Sequence, residues 1–172
     1  MSYRRNYFGI IIPYYLEKLL GLSPDLVHSR LYDDNTFYPK FTNDLQHCKK
    51  EVIIESPFIS SNRICSLISP LEALVARKIK VYVITRDPTE HDLSMRQQAE
   101  EAIRKFEKMG IQVIIGSEYS HRKLAIIDRK ILWEGSLNIL SQTYSQEIMR
   151  RIKSEIQAKE CFKFIKLEKY IY

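Results

Sequence analysis

The chain has 172 residues, of which 45% are hydrophobic and 28% charged, a balance typical of a soluble globular protein of one domain. Its three cysteines include no Cys-x-x-Cys spacing, which argues against a disulfide framework or a structural zinc site and favours a reducing, cytoplasmic location. The formal net charge is +6, and residues 121–172 carry 11 Lys and Arg against 6 Asp and Glu. This local excess suggests an anionic partner near that end of the chain.

The N-terminal segment, residues 1–36, is too short to form a core of its own. Its pattern predicts a short extended piece, then a helix that begins near Pro13 and ends near Gly21, and a connector over residues 31–35. We therefore predict that residues 1–36 form an extension that packs on the domain or lies at an interface. Residues 37–172 are predicted to form the domain itself.

Helical and strand patterns alternate along the predicted domain. Apolar residues recur at helical spacing in four segments, which are 37–50, 64–78, 94–109 and 156–167. Short β-branched runs predict six strands, at 51–55, 80–85, 111–115, 123–128, 130–134 and 147–152. A tight turn at Asp128 and Arg129 joins two of these strands, so part of the sheet is expected to be antiparallel. The expected fold is α/β, with a mixed, largely parallel central sheet flanked by helices.

Residue types that suit phosphate chemistry follow one another after residue 120. In a strand, His121 and Lys123 point to the same face, because side chains alternate with a period of two. Asp128 ends that strand, and Ser136 and Asn138 stand at a turn after the next one. Lysine and asparagine can bind the non-bridging oxygens of a phosphodiester while a histidine attacks phosphorus. The segment therefore indicates a phosphodiester-cleaving site.

These residues resemble the signature of the phospholipase D superfamily, HxK(x)4D followed by GSxN. Two further segments, Glu-Ser-Pro-Phe-Ile at 55–59 and Arg-Asp-Pro at 86–88, each follow a predicted strand. Both are similar to segments of phospholipase D-like nuclease domains, including those attached to some helicases. The resemblance covers residues 37–152 and implies a phospholipase D-like α/β/α sandwich.

The resemblance also implies a mechanism that needs no metal and no cofactor. His121 would be the nucleophile that forms a phosphohistidine, or the acid–base partner of that nucleophile. Lys123 and Asn138 would hold phosphate oxygens, and Ser136 would support the site. Asp128, which matches the motif aspartate, would organise the site electrostatically.

The same resemblance implies two features beyond the motif itself. Glu147 stands where the family places a carboxylate that orients a histidine. The mechanism needs two motif histidines, yet His28, His47 and His91 lack Lys and Asp at the motif spacing. Single-motif members of the family form a two-fold dimer whose motifs meet at one active site, so a homodimer is implied.

The basic composition favours a nuclease acting on nucleic acid, with DNA preferred over RNA. No stable membrane insertion is expected, because the apolar run at residues 6–16 is shorter than the about 20 residues that span a bilayer. The alternatives are a phospholipid hydrolase or transferase, and a non-catalytic nucleic-acid-binding module; a helicase or another nucleic-acid-processing protein is a candidate partner. The side chains expected to bind phosphates, or equally to form a solvated face, are Arg122, Arg150, Arg151, Lys153, Lys159, Lys163 and Lys166.

Overall fold

The structure, a computed structural model, describes residues 3–5, 11–13, 28–116, 120–141 and 145–171. In chain order its strands are β1 (Tyr3–Arg5), β2 (Ile11–Pro13), β3 (Ser29–Asp33), β4 (Glu51–Glu55), β5 (Lys80–Thr85), β6 (Gln112–Ile115), β7 (Leu124–Ile127), β8 (Ile131–Gly135) and β9 (Ile148–Lys153). Its α-helices are α1 (Asp34–His47), α2 (Ser61–Ala76), α3 (Leu93–Lys108) and α4 (Glu155–Phe164). Short 3-10 helices span Pro88–Glu90 and Leu167–Lys169.

Seven of the described strands form one mixed sheet in the order β3-β9-β8-β7-β4-β5-β6. The mixed sheet flanked by helices is confirmed, but its parallel part is smaller than the sequence indicates. Only β4, β5 and β6 run parallel to one another, and the neighbouring pairs from β3 across to β4 are all antiparallel. A parallel crossover usually contains a helix, and the described residues between β7 and β9 contain none.

The core lies on both faces of this sheet, in a three-layer α/β/α arrangement. Helices α1, α2 and α3 bury their apolar faces against one side, and α4 covers the other side with Ala158 and Phe162. Trp133, which is fully buried, packs edge-on against Phe37 with ring centroids 5.0 Å apart. The buried carboxylate of Asp44 accepts hydrogen bonds from the Trp133 indole and from Arg151. The polar groups of this core are therefore paired rather than left unsatisfied.

The N-terminal segment differs from its prediction where the structure describes it. The predicted connector at 31–35 is wrong, because Ser29–Asp33 form an edge strand that pairs with β9 and end at the N-cap of α1. Charged residues in that strand obscure the alternation of apolar and polar side chains by which a strand is recognised in the sequence. Pro13 lies at the end of β2 rather than at the start of a helix, and the rest of the predicted helix, as far as Gly21, lies outside the described residues. The division of the chain at residue 36 stays a prediction.

The register of the strands defines two opposite ends of the sheet. At the carboxyl end, where the parallel strands β4 and β5 finish, Glu55 lies beside Leu124 and Leu124 beside Glu134. At the amino end, Lys80 lies beside Glu51, and Lys153 beside Ile131. Ligands of open α/β sheets bind outside the carboxyl ends of the parallel strands, so that is the end at which a site is expected.

Candidate active site

His121 and Lys123 lie on the extended segment that enters β7 at the carboxyl end of the sheet. The Lys123 ammonium lies 2.7 Å from Nδ1 and 3.2 Å from Nε2 of His121, and it donates to the His121 carbonyl at 2.8 Å. The lysine is buried while the imidazole is exposed. The sequence prediction that the two side chains share a face is therefore confirmed, and solvent can reach the histidine.

The surroundings of this pair favour a neutral imidazole. Burial lowers the pKa of His121, and the positive charges of Lys123 and Arg86 lower it further. Burial also lowers the pKa of Lys123, although the nearby Glu147 carboxylate opposes that change. A neutral imidazole has an unshared electron pair with which to attack phosphorus, whereas an imidazolium ion has none. At neutral pH the histidine is thus in the form that a nucleophile requires.

We expect His121 to titrate below pH 6.5, the ordinary value for histidine, when its ring resonances are followed by NMR. Replacing Lys123 with methionine should raise the pKa of His121, because it removes one of the two cations that oppose protonation. Lys163→Met, on the exposed surface of α4, is the matched control and should leave the titration unchanged. An unaltered His121 titration in Lys123→Met would contradict this electrostatic coupling.

A buried carboxylate holds the segment that carries the histidine. Glu55, at the end of β4, is only 2% exposed. It accepts hydrogen bonds from the Ser120 hydroxyl at 2.8 Å and from Arg122 Nε at 3.0 Å. Glu55 and Ser120 were not among the predicted site residues. Arg122 was predicted to bind substrate, but here its guanidinium is paired with Glu55 and orients the His121 backbone.

The turn after β8 brings Ser136 and Asn138 to the same end of the sheet. The Gly135 amide donates to the Lys123 carbonyl at 3.2 Å, and a side chain at Gly135 would collide with the backbone of Ile148 and Met149. Ser136 is tied to β9 because its hydroxyl accepts from the Ile148 amide at 3.1 Å. Only glycine at position 135 allows the end of β8 to approach the backbone of β9 this closely.

Asn138 offers a side-chain oxygen that has no hydrogen-bond partner among the described residues. The residue is 8% exposed, and this oxygen is buried. Rotation of the amide by 180° would place its NH2 group at the same point. Buried polar groups without a partner are uncommon and mark positions at which a ligand can complete the bonding.

Glu147 lies beside the lysine. The hydroxyl groups of Ser136 and Ser145 lower the pKa of the Glu147 carboxyl, and the charge of Lys123 lowers it further. The Ser145 hydroxyl donates to Glu147 at 2.7 Å. This carboxylate therefore stabilises the Lys123 ammonium, and its role in orienting a histidine stays a prediction.

An aromatic residue that sequence reasoning did not assign to the site contacts His121. Phe58, in the loop after β4, meets the His121 ring edge-on with centroids 5.8 Å apart. The Phe58 ring also lies 5.1 Å from the His91 ring and 5.8 Å from the Arg86 guanidinium. The sequence offered one indication of this, because Phe58 and Arg86 directly follow the adjacent parallel strands β4 and β5, where ligands of such sheets bind.

Asp128 is the predicted site residue that the structure does not bring to the others. It lies in the β7–β8 turn at the amino end, a whole strand away from His121. Both Asp128 and Arg129 have a φ of 53°, which fits the two left-handed positions of a type I′ hairpin. The Asp128 carboxylate accepts from the backbone amides of Lys49 at 2.9 Å and Lys50 at 2.7 Å. These contacts anchor the chain that enters β4.

Replacing Asp128 with alanine should lower the free energy of unfolding at pH 7 by about 1–3 kcal/mol, because backbone donors lose a charged acceptor. Burial alone would raise the pKa of Asp128, but the amides of Lys49 and Lys50 outweigh it and hold that pKa below its ordinary value. The stabilisation is therefore present above about pH 4 and is lost as the pH falls through the folded-state pKa. Urea unfolding at pH 7 and pH 3 measures both effects. A folded variant with more than tenfold lower activity would instead support the predicted electrostatic role.

The predicted phosphate-binding residues do not form one surface. Arg150 lies at the carboxyl end, where it donates to Ser29 and lines a cavity with Lys123. Arg151 points to the opposite face and pairs with Asp44, because alternate residues of β9 face opposite sides. The other members are exposed and lie elsewhere, with Lys153 at the amino end, Lys159 paired with Glu155, Lys163 on α4 and Lys166 in the turn after it.

The cavity beside Lys123 has a volume of about 490 Å³ and a mainly apolar lining. Leu124, Ile148 and Phe164 are among its apolar lining residues, and Arg122, Arg150 and Glu134 are its other charged ones. In the part of the chain that the structure describes, no group of three or more His, Cys, Asp or Glu side chains is placed to hold a metal ion. Lys123 lines this cavity and contacts His121 beside it, and the turn that carries Asn138 lies at the same end of the sheet.

Comparison with protein families found a match over residues 41–166 to the family described as "Cardiolipin synthase, PLD-like domain". The match spans more than half of the chain and contains the residues placed at the candidate site. No match was found among curated protein sequences.

Similar folds occur in several solved structures. Nuc, a phospholipase D family member from Salmonella typhimurium, is 14% identical and superposes with a TM-score of 0.65, over 80% of this chain and 90% of Nuc. NucT from Helicobacter pylori is 16% identical, with a TM-score of 0.62 over 80% of this chain and 92% of NucT. Phosphatidylserine synthase from Haemophilus influenzae is 13% identical, with a TM-score of 0.61, and this chain covers only 38% of it. At such identities the likeness establishes the fold.

Proposed function

The chain belongs to the PLD-like domain family named for cardiolipin synthase, and from that membership we propose that it is a metal-independent phosphodiesterase that hydrolyses nucleic acid. The observation that carries the proposal is the contact between the buried Lys123 ammonium and the exposed His121 ring at the carboxyl end of the sheet. This pair supplies a neutral nucleophile next to a cation that can bind phosphate. The chemistry requires both groups at one phosphorus atom.

In the proposed reaction, a ring nitrogen of His121 attacks phosphorus and forms an N–P bond while the bond to the leaving oxygen breaks. Lys123 and Asn138 bind the non-bridging oxygens, whose negative charge increases in the transition state. A second histidine gives its proton to the leaving oxygen. That histidine, now neutral, takes a proton from water as the water attacks phosphorus and displaces His121. Ser136 and Glu147 hold the lysine and the turn in place.

The second histidine is proposed to come from another copy of the chain, in a dimer with one shared site. Supporting this, four of the seven large apolar side chains that are exposed among the described residues lie around the carboxyl end of the sheet. They are Leu93 at 72% exposure, Ile115 at 45%, Ile148 at 57% and Phe164 at 83%. A two-fold contact that buried these residues would bring the two His121 side chains towards each other. Such an interface should bury on the order of 1,600 Å² in total.

Nucleic acid is preferred to phospholipid as the substrate because the chain carries a net charge of +6. The apolar cavity beside Lys123 favours the second candidate, a phospholipid hydrolase or transferase, because an acyl chain could lie against its apolar lining. Within the described ranges, every helix is too short or too polar to cross a lipid bilayer. The two candidate functions share the reaction at phosphorus and differ in the groups attached to the phosphate, which are nucleosides in one and a lipid in the other.

Hydrolysis in excess EDTA tests the proposal directly. Substrates would be bis-p-nitrophenyl phosphate, labelled single-stranded and duplex DNA, single-stranded RNA, and phosphatidylglycerol vesicles. We expect turnover of the generic diester and of nucleic acid, with no loss of rate on chelation. Turnover of the vesicles alone would establish the phospholipid candidate. Salt-dependent DNA binding without any turnover would identify a non-catalytic binding module instead.

A further inference from the structure

A row of lysines lies along the amino end of the sheet, opposite the candidate active site. We call this surface the basic edge, and it consists of Lys49, Lys50, Lys78, Lys80, Lys130 and Lys153. All six are exposed. In the described part of the chain none of them forms a salt bridge. The catalytic proposal does not use any of them.

The acidic groups nearest to the basic edge are already engaged. Glu51 pairs with Arg129, and Glu155 pairs with Lys159. Asp128 accepts from the amides of the loop before β4, and this contact fixes the backbone from which Lys49 and Lys50 extend. The motif aspartate therefore fixes the backbone of the basic edge.

Strand order gives the dimensions of the row. Lys153 ends β9, Lys130 precedes β8, Lys50 precedes β4 and Lys80 begins β5. From β9 to β5 there are four strand intervals, which at about 4.8 Å each make a row of roughly 19 Å. Successive phosphates of one DNA strand are about 3.4 Å apart along the duplex axis, so the row is as long as roughly five or six phosphate steps. Because the strand winds around that axis, only some of these phosphates face the row.

We propose that the basic edge is a second contact surface for nucleic acid, separate from the active site and bound through the phosphate backbone. Like charges held close together repel one another, and a linear polyanion relieves that repulsion while it releases its own counterions. Lys78 has a φ of 60°, a backbone conformation that favours glycine, yet the position carries a cation. The choice of nucleic acid as the partner rests on the proposed function, whereas binding itself needs no catalysis.

The shape and polarity of the surface favour nucleic acid over an anionic membrane. The charges follow a line about as long as half a turn of a DNA duplex. Phe164 and Leu93, the two most exposed apolar side chains, lie at the opposite end of the sheet, and among the described residues Ile156 is the one large, strongly exposed apolar side chain that follows the row, at the start of α4. Peripheral membrane binding usually combines basic side chains with inserted apolar ones.

The test compares two quadruple variants that differ only in charge. In one, Lys50, Lys80, Lys130 and Lys153 are changed to glutamine, and in the other the same four are changed to arginine. Binding to a 30-base-pair duplex is measured by fluorescence anisotropy at several NaCl concentrations, with both sets in a His121→Ala background to prevent cleavage. We expect the glutamine set to bind about tenfold or more weakly at 0.1 M NaCl, with the salt slope reduced by about three. The arginine set should bind like its parent.

Unchanged DNA affinity in the glutamine set would overturn this proposal. If the same set had lost binding to phosphatidylglycerol vesicles, the surface would be a membrane contact instead. Turnover of bis-p-nitrophenyl phosphate by a chain with His121 intact and only Lys50, Lys80 and Lys130 changed to glutamine should equal that of the wild type. A chain that binds DNA through these lysines but hydrolyses nothing would refute the proposed function and leave the basic edge standing. If the glutamine set bound DNA as its parent does while the wild-type chain hydrolysed phosphodiesters, the basic edge would be refuted and the proposed function would stand.

Discussion

Replacing His121 with alanine should lower the rate of phosphodiester hydrolysis by at least about a thousandfold. The substitution removes the proposed nucleophile, and in a two-fold dimer it also removes the histidine that protonates the leaving group. Acid–base assistance alone is worth about 10² to 10⁴ in rate, and loss of the nucleophile adds to that. The side chain is exposed, so the fold should persist. Steady-state hydrolysis of bis-p-nitrophenyl phosphate, with circular dichroism as the check on folding, measures the effect.

The matched control is His47→Ala. His47 is exposed at the last turn of α1, near the amino end of the sheet, and its ring contacts only the Asn43 carbonyl of its own helix among the described residues. Its loss should change activity less than twofold. If His121→Ala kept more than about a tenth of the wild-type rate, the covalent mechanism would be wrong.

Replacing Lys123 with alanine should lower the rate by about 10² to 10³, the loss typical when one donor to a developing oxyanion is removed. The effect should appear mainly in kcat, because the lysine meets charge that grows in the transition state. The substitution also leaves Glu147 without its nearby cation. Lys123→Arg preserves the charge but not the position of the donor, and we expect it to recover only part of the activity.

Mixing the two inactive variants is a consistency check on the shared site, and the assembly state of the active chain is its test. Lys123→Ala and His121→Ala chains, unfolded together and refolded, should form heterodimers that stay largely inactive. Each shared site in such a heterodimer lacks one histidine and one lysine. Sedimentation at micromolar concentration measures the assembly state of each sample. A strictly monomeric chain with the full hydrolysis rate would refute the shared site.

Local sequence predicted the strands of the sheet well where burial is complete. The β-branched runs at 51–55 and 80–85 coincide with β4 and β5, and nearly all of their residues are buried. Burial on both faces favours apolar, β-branched residues, and a run of them is easy to recognise in the sequence. The edge strand β3 was missed because one of its faces meets solvent and carries charge. Whether neighbouring strands run parallel or antiparallel depends on the connections between them, and the spacing of apolar residues along one strand does not show those connections.

Within the candidate site, the sequence predicted contacts between residues close together in the chain, but it did not predict which residues of different strands would meet. His121 and Lys123 are two residues apart, so a single rule brought them together. Asp128 is in the same motif, yet the strand between them carries it to the far end of the sheet. Phe58 and Glu55 reach the site only through the pairing of β4 with β7, a contact between residues about 70 positions apart in sequence. Pairings at such separations are set by the packing of the whole fold.

The unequal environments of the three cysteines make the native chain suitable for labelling at one position. Burial, together with the Asp128 carboxylate beside its sulfur, raises the pKa of the Cys48 thiol to about 12. Burial likewise raises the pKa of Cys161 to about 11. Maleimides react with the thiolate, so both should be inert near neutral pH, whereas Cys65 is exposed on α2. A donor dye on one copy and an acceptor dye on another, both at Cys65, would therefore report the spacing of two subunits without any engineered cysteine.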